Sequence, residues 1–268
     1  MKKVTPKKHL GQHFLIHLPT AARIADTVDV CPEQPILEVG PGMGVLTQYL
    51  LPKGREVKVV EIDRESVAYL NNRWPELTDR ILGEDFLRMD LAKVFDGKPF
   101  VLTGNYPYDI SSQIFFKMLD FRDLIPCCTG MIQKEMAERL AAKPGTKAYG
   151  VLSVFLQMWY DIKYLFTVEP GVFNPPPKVR SGVIELMRND RKEAGCDEAL
   201  LRRLVKGTFQ QRRKMLRASL KPILRSEGFS DEQLATFLSD PNFTRRPETF
   251  SVDEFIELAK NVKEALRS

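Results

Sequence analysis

Asn105-Tyr106-Pro107-Tyr108 is the segment of this chain whose residue types and order suit the most specific chemistry. An aromatic or amide NH2 is a poor nucleophile, because its lone pair is delocalised into the adjacent π-system. Acceptors that hold its N–H groups favour a pyramidal nitrogen with the lone pair returned to it. The Asn105 side-chain oxygen and the Tyr106 carbonyl are candidates for those acceptors, Pro107 sets the turn, and Tyr108 offers a ring on which a base can stack. No strong general base is then required, since the proton can leave after the nitrogen has become cationic, and His13 is not needed in that role. The plain alternative is a turn at the end of a strand with no chemistry attached.

Three more segments have the residue types of a nucleoside site. Glu38-Val39-Gly40-Pro41-Gly42-Met43-Gly44 follows an apolar run and precedes a helical one. Glycines at such a strand-to-helix turn let the backbone approach a ligand, and an acid after the next strand can accept from ribose hydroxyls. Glu61 is spaced for that role. Asp85 supplies an acceptor for an exocyclic amine and Phe86 an aromatic face, although Asp85 could instead cap the following helix. A dinucleotide fingerprint asks for glycine at position 45, where the chain has Val45, so the glycine pattern alone leaves a nucleoside site and a tight turn both open.

The elements that must carry these residues are legible from periodicity. Short β-rich apolar runs occur at 35–40, 57–63, 80–85, 100–105, 127–133, 161–168 and 181–187, and helical spacing occurs at 20–30, 44–53, 64–74, 111–121, 134–142 and 149–158. Alternation of this kind implies an α/β fold with a seven-stranded, mostly parallel sheet. The last two strands follow each other without a clear helix between them, which predicts an antiparallel strand at the sheet edge. Residues 1–187 are assigned to this domain. After Met187 the texture becomes helical, and 188–268 is expected to form a smaller all-helical domain.

Charge separates along the chain. The 268 residues hold 40 Lys+Arg against 35 Asp+Glu, but 33–96 carries 12 acids and 8 bases while 202–225 carries nine bases and no acid. At 100° per residue from Leu201, the side chains of Leu204, Val205, Phe209, Met215, Leu216 and Leu220 share one arc. Arg202, Lys206, Arg213, Arg217 and Lys221 share another, and Pro222 is expected to end the helix. Arg212 alone falls in the apolar arc, so it either snorkels or meets an acid. The basic face suits phosphate, or it is a solvated helix surface. Four cysteines without a CxxC pair are expected to be reduced, buried and inert, which disfavours a zinc site. The composition is that of a folded soluble protein, with no apolar run long enough to span a membrane and no signal-peptide core, so a cytoplasmic address and a monomer are the expectations.

These motifs together resemble the small-subunit rRNA adenine dimethyltransferase family. The resemblance rests on 8–15 (KHLGQHFL), 38–44 (EVGPGMG), 61–63 (EID), Asp85, 105–111 (NYPYDIS), 173–181 (FNPPPKVRS) and 209–214 (FQQRRK), and it covers the whole chain. It implies a Rossmann-like class I methyltransferase domain and S-adenosylmethionine-dependent conversion of two adjacent adenosines to N6,N6-dimethyladenosine. Those lie in a loop near the 3′ end of 16S rRNA, within a small subunit or its precursor, and S-adenosylhomocysteine is the by-product. Position by position, the resemblance implies that His13, Leu15, Gly40, Gly42, Glu61, Ile62, Asp85, Phe86 and Asn105 bind the cofactor. It further implies that Asn105, Tyr106, Pro107 and Tyr108 act at the target amine, with Tyr108 and Phe173 on the target base. Lys7, Lys8, Lys178, Arg202, Lys206, Arg213, Lys214, Arg217 and Lys221 would meet RNA, and no metal takes part. The chain departs from the family at His13, where asparagine is usual, and at Tyr106, where leucine is usual. Large-subunit resistance methyltransferases, DNA adenine or protein glutamine methyltransferases, a nicotinamide enzyme and a non-catalytic assembly factor are the competing readings.

Overall fold

The computed structural model describes residues 4–7 and 12–267. Lys8, expected at the RNA, lies outside them. The chain divides into two compact units, Met1–Glu138 with Tyr160–Asn189, and Arg139–Trp159 with Asp190–Ser268.

The first unit is built on seven strands: β1 (Ile36–Val39), β2 (Val57–Val60), β3 (Ile81–Leu82), β4 (Val101–Thr103), β5 (Cys127–Gln133), β6 (Tyr160–Val168) and β7 (Ser181–Arg188). Their order in the sheet is β3-β2-β1-β4-β5-β7-β6. The first five run parallel, and β7 is antiparallel to both neighbours. The connecting helices α1 (Leu18–Ala25), α2 (Thr47–Leu50), α3 (Arg64–Arg73), α4 (Ser111–Asp120) and α5 (Lys134–Leu140) give the α/β alternation expected from sequence.

One strand position differs from expectation. The antiparallel strand β7 is inserted one place in from the edge, and β6 takes the edge. Composition supplies the reason. β7 has Ser181 to Leu186 all buried, as suits a strand flanked on both sides, whereas β6 is buried only at its ends, Tyr160 and Val168, and exposes Asp161, Lys163 and Thr167.

Four parallel strands end near one another, which is where such a sheet collects ligands. A two-residue ladder closes that end: Phe14 and Leu15 pair antiparallel with Asn174 and Phe173. The hydrophobic core gathers Leu15, Ile24, Ile36, Leu46, Val59 and Phe173 among others.

The second unit contains α6 (Val151–Gln157), α7 (Glu198–Gln210), α8 (Leu216–Ser226), α9 (Asp231–Phe237) and α10 (Val252–Ala265). Asp197, Ser230 and Ser251 cap α7, α9 and α10, the last two in reciprocal boxes with Gln233 and Glu254. Sequence expectations are corrected here. Residues 139–159, read as part of the first domain, group with the helical unit. Tyr149 is buried with its ring 6.2 Å from Phe209, which lies 5.9 Å from Phe255, and Gly145 N donates to Glu248 O at 2.6 Å. An aromatic cluster assembled from distant stretches of chain leaves no periodic trace in sequence.

The basic stretch is also two helices, and Pro222 lies inside the second instead of ending the first. The chain leaves helical geometry at Gln211 and re-enters after Met215, with Leu216 N donating to Arg245 O at 2.8 Å. Met215, expected in the apolar arc, is 44% exposed as a result. Gly207 lets the two helices cross closely, since a Cβ there would lie 2.5 Å from Ile223 Cδ1. Arg212 meets an acid: Nε donates to Glu248 Oε2 at 2.5 Å and Nη2 to Thr146 O at 3.1 Å. Cys127 and Cys128 are buried, whereas Cys31 and Cys196 are only half-buried, against the expectation for all four.

Candidate active site

A cavity of about 230 Å³ lies at the ends of β1 to β4, entirely within the first unit. Its walls come from 12–14, from Val39, Gly40 and Gly42, from 60–62, from 84–87 and from 105–110. The glycine turn forms one wall because it can adopt what side chains resist. Gly42 has φ +55° and a Cβ there would lie 2.9 Å from the Phe14 ring; Gly44 has φ +78° and a Cβ would lie 2.2 Å from Trp74.

Gly42 N–H donates to Glu61 Oε2 at 3.0 Å, and Asp63 N–H donates to Glu61 Oε1 at 2.9 Å. Both oxygens of this buried carboxylate are thereby oriented, each with a lone pair still available. Burial pushes the Glu61 carboxyl up from the usual carboxylate range, and the backbone N–H groups of Asp63 and Gly42 pull it part of the way back. One strand over, Glu38 is 1% exposed and accepts the Thr47 hydroxyl at 2.6 Å. Burial, with Glu61 nearby, pushes Glu38 up to about 8. The two acids differ in surroundings: Glu38 is buried against Thr47 away from the cavity lining, and Glu61 lines the cavity with its oxygens held by backbone N–H groups.

Asp85 and Phe86 occupy a tight turn after β3. Asp85 Oδ1 accepts from Leu87 N at 2.9 Å and so closes the turn, but it caps no helix, since the short helix that follows at Leu91–Lys93 is capped by Asp90; Asp85 also lines the cavity. Phe86 is 4% exposed. Lys117 of α4 secures this turn by donating to Leu87 O at 3.0 Å and to Met89 O. Ile62, by contrast, is 54% exposed, a large apolar side chain with one face open.

The tetrad follows β4. Tyr106 N donates to Met131 O at 3.0 Å, and the Tyr106 side chain turns inward, with its hydroxyl donating to Thr129 O at 2.8 Å. The ring thus anchors the tetrad in the core, and only its main chain can serve the cavity. Asn105 Nδ2 donates to His13 O at 3.1 Å. Because a carbonyl only accepts, the amide nitrogen must be on that side, which leaves Oδ1 at the other end. Tyr108 is half-buried on the wall, its hydroxyl bonded to Ser181.

Comparison with known proteins agrees with this arrangement. A family model described as ribosomal RNA adenine dimethylase matches residues 4–258. The chain belongs to the ribosomal RNA adenine dimethylase family. A relative from Bacteroides thetaiotaomicron called ribosomal RNA small subunit methyltransferase A is 62% identical over 268 residues, covering 100% of this chain and 98% of its own. Among solved structures, a dimethyladenosine transferase from Plasmodium falciparum superposes with a TM-score of 0.81 at 24% identity, covering 94% of this chain and 98% of that one. The 23S rRNA methyltransferase ErmE superposes with a TM-score of 0.65 at 26% identity over 92% and 99%. The protein is accordingly an rRNA adenine dimethyltransferase of the S-adenosylmethionine-dependent class I type.

In this dimethylase the cavity brings together His13, Gly40, Gly42, Glu61, Ile62, Asp85, Phe86 and the whole tetrad. Leu15 and Phe173 do not join them. They pair with each other in the short ladder and are both 3% exposed in the apolar core. Strand alternation explains it: with Leu15 turned to the core, its neighbour Phe14 faces the cavity. Phe14, Gln12 and Glu84 are cavity residues that sequence reading missed, although the two-residue period marks Phe14. The donor set fits the cofactor: a backbone cradle that a Cβ at Gly42 would obstruct, a buried carboxylate with both oxygens oriented, an apolar face at Ile62 and an acceptor at Asp85.

The cations expected at RNA are less uniform. Lys7 pairs with Asp63, the N-cap of α3, and lies 3.5 Å from Glu65, so it pins the N-terminal segment. The Arg202 guanidinium lies over the Phe155 ring at 5.8 Å. Lys178, Lys206, Arg213, Lys214, Arg217 and Lys221 are exposed.

Proposed function

We propose that this dimethylase converts two adjacent adenosines in a loop near the 3′ end of 16S rRNA to N6,N6-dimethyladenosine. It would act as a cytoplasmic monomer on a small ribosomal subunit or its precursor, and so contribute to small-subunit biogenesis. The observation that carries the reading is the Asn105 amide. Its nitrogen is committed to the His13 carbonyl, which leaves Oδ1 as an acceptor in a cavity that Tyr106 and Tyr108 also line.

S-adenosylmethionine supplies an electrophilic methyl on a sulfonium that is already a good leaving group. Gly40 and Gly42 leave room for its approach, Glu61 accepts from its ribose hydroxyls, and Ile62, Asp85 and Phe86 hold its adenine. On the substrate side, Asn105 Oδ1 and the Tyr106 carbonyl accept the N–H groups of the target amine, which returns the lone pair to nitrogen. Tyr108 stacks on the base and offsets the cost of taking it out of the RNA stack, about a few kcal/mol. Positioning carries most of the rate, and no side chain need act as a strong base. Lys178 in the first unit, with Lys206, Arg213, Lys214, Arg217 and Lys221 in the helical one, supplies phosphate contacts, so selection of the site falls to the shape of the rRNA.

The test is transfer of labelled methyl from S-adenosylmethionine to small-subunit particles lacking the modification, with large-subunit particles and free DNA alongside, followed by nucleoside analysis. Dimethyladenosine confined to the small subunit is expected. Label in the large subunit would move the protein towards ErmE-like activity, and binding without transfer would make it an assembly factor.

A further inference from the structure

Tyr108 is held from two sides by side chains that the reaction above leaves without a task. Its hydroxyl shares a hydrogen bond of 2.5 Å with that of Ser181, a fully buried residue at the start of β7. Its ring lies against the His13 imidazole, with centroids 5.6 Å apart and planes inclined by 30°. The imidazole is tied in its turn, since His13 Nδ1 lies 3.0 Å from Pro175 O. A carbonyl only accepts, so Nδ1 carries the proton and donates it there. Through its main chain the same residue accepts the Asn105 amide N–H.

Each end of the brace rests on secondary structure. Ser181 pairs with Gln133 at the end of β5, and Phe14, next to His13, pairs with Asn174. The brace therefore joins the N-terminal segment, the proline-rich segment and the sheet at the place where the tetrad emerges. An aromatic platform fixed in advance need not be ordered when the base arrives, and that favours the reacting geometry.

We infer that His13 and Ser181 are positioning residues for methyl transfer: His13 sets the face of Tyr108 and the orientation of the Asn105 amide, and Ser181 sets the edge of Tyr108. This rests on the reading of Tyr108 and Asn105 as the target-base site. It gives the His13 side chain, which departs from the family's asparagine, a task on the substrate side of the cavity.

The experiment combines Ser181→Ala, Tyr108→Phe and the double variant, each measured for methyl transfer to unmodified small-subunit particles and for S-adenosylmethionine affinity by calorimetry. Each single variant is expected to lower kcat roughly three- to tenfold, and the double is expected to be no worse than the poorer single, because both remove one shared bond. Cofactor affinity is expected to stay within about twofold of the parent, since the bond lies outside the cofactor subsite. His13→Ala is expected to lower kcat, and His13→Phe, which keeps a ring against Tyr108, to recover part of it. Parent turnover in either hydroxyl variant, effects that multiply in the double, or a loss of cofactor affinity that tracks kcat would overturn the inference. Tyr108→Ala separates the brace from the base site. Abolished turnover there with parent turnover in Ser181→Ala and His13→Ala defeats the brace alone, whereas parent turnover in Tyr108→Ala defeats the base-site reading itself.

Discussion

Asn105 has one end of its amide committed to protein and the other left for substrate, so truncating it removes an acceptor without disturbing the core. Asn105→Ala is expected to lower kcat by roughly 10² or more while the melting temperature changes little, the scale seen when one preorganised polar group is taken away from a reacting centre. Turnover near the parent value would refute the acceptor role. Glu38 calls for a different measurement. Its carboxyl sits at about 8 in the folded chain against an ordinary value of 4.5. Between those values the folded state keeps a proton that the unfolded state has released, so this group makes stability fall as pH rises, with a limiting slope of about 1.4 kcal/mol per pH unit. Glu38→Gln still accepts from Thr47 and does not ionise. The stability difference between variant and parent, from denaturant titrations at pH 5 to 8, is therefore expected to widen in the variant's favour as pH rises. A difference constant with pH would mean that Glu38 is ionised in the fold.

The glycine turn acts as an element, because Gly42 both shapes the cradle and donates to Glu61. Gly42→Ala forces a side chain into the left-handed region at φ +55° and pushes it against Phe14. A loss of about 1–3 kcal/mol in stability is expected, together with weaker binding of S-adenosylmethionine by calorimetry. Gly54→Ala is the control, since Gly54 has φ +69° but nothing within 4 Å of an added Cβ. It should cost only the backbone strain, about 1–2 kcal/mol, and leave cofactor affinity alone. Equal effects of the two substitutions on affinity would show that the clash with Phe14 is immaterial. The same scale shows where sequence reading stopped. Helix and strand periods placed all seven strands, but period says nothing about which strand is the neighbour of which. The order β5-β7-β6 depends on how many sides of each strand are covered, and that emerges only once the sheet is assembled.

For the whole chain, the acidic stretch lies in the nucleoside-binding half and the basic stretch spans α7, the turn after it and α8. Arg213, Lys214 and Arg217 are exposed. Neutralising two of the three is expected to weaken binding to small-subunit RNA and to flatten the log–log salt dependence by roughly one unit for each phosphate left without its cation. An unchanged slope would return this face to solvent. Arg212, adjacent in sequence, is engaged with Glu248 and with the Thr146 carbonyl inside the helical unit. Its place in the apolar arc is the feature that set it apart from its basic neighbours.

Sequence by itself determined the local matters: the strand-end glycines, the acids after β2 and β3, the tetrad after β4 and the shift to helix near residue 188. Each depends on residue type and short-range period, which act before the chain is compact. Tertiary structure decided what depends on distant stretches meeting. It turned Tyr106 into the core and Phe14 to the cavity, buried Leu15 and Phe173, grouped 139–159 with the helical unit, placed Lys117 behind the Asp85 turn and set His13 and Ser181 against Tyr108. The physical reason is that these outcomes follow from side chains competing for the same buried space and the same backbone partners, and neither is defined until the sheet has closed.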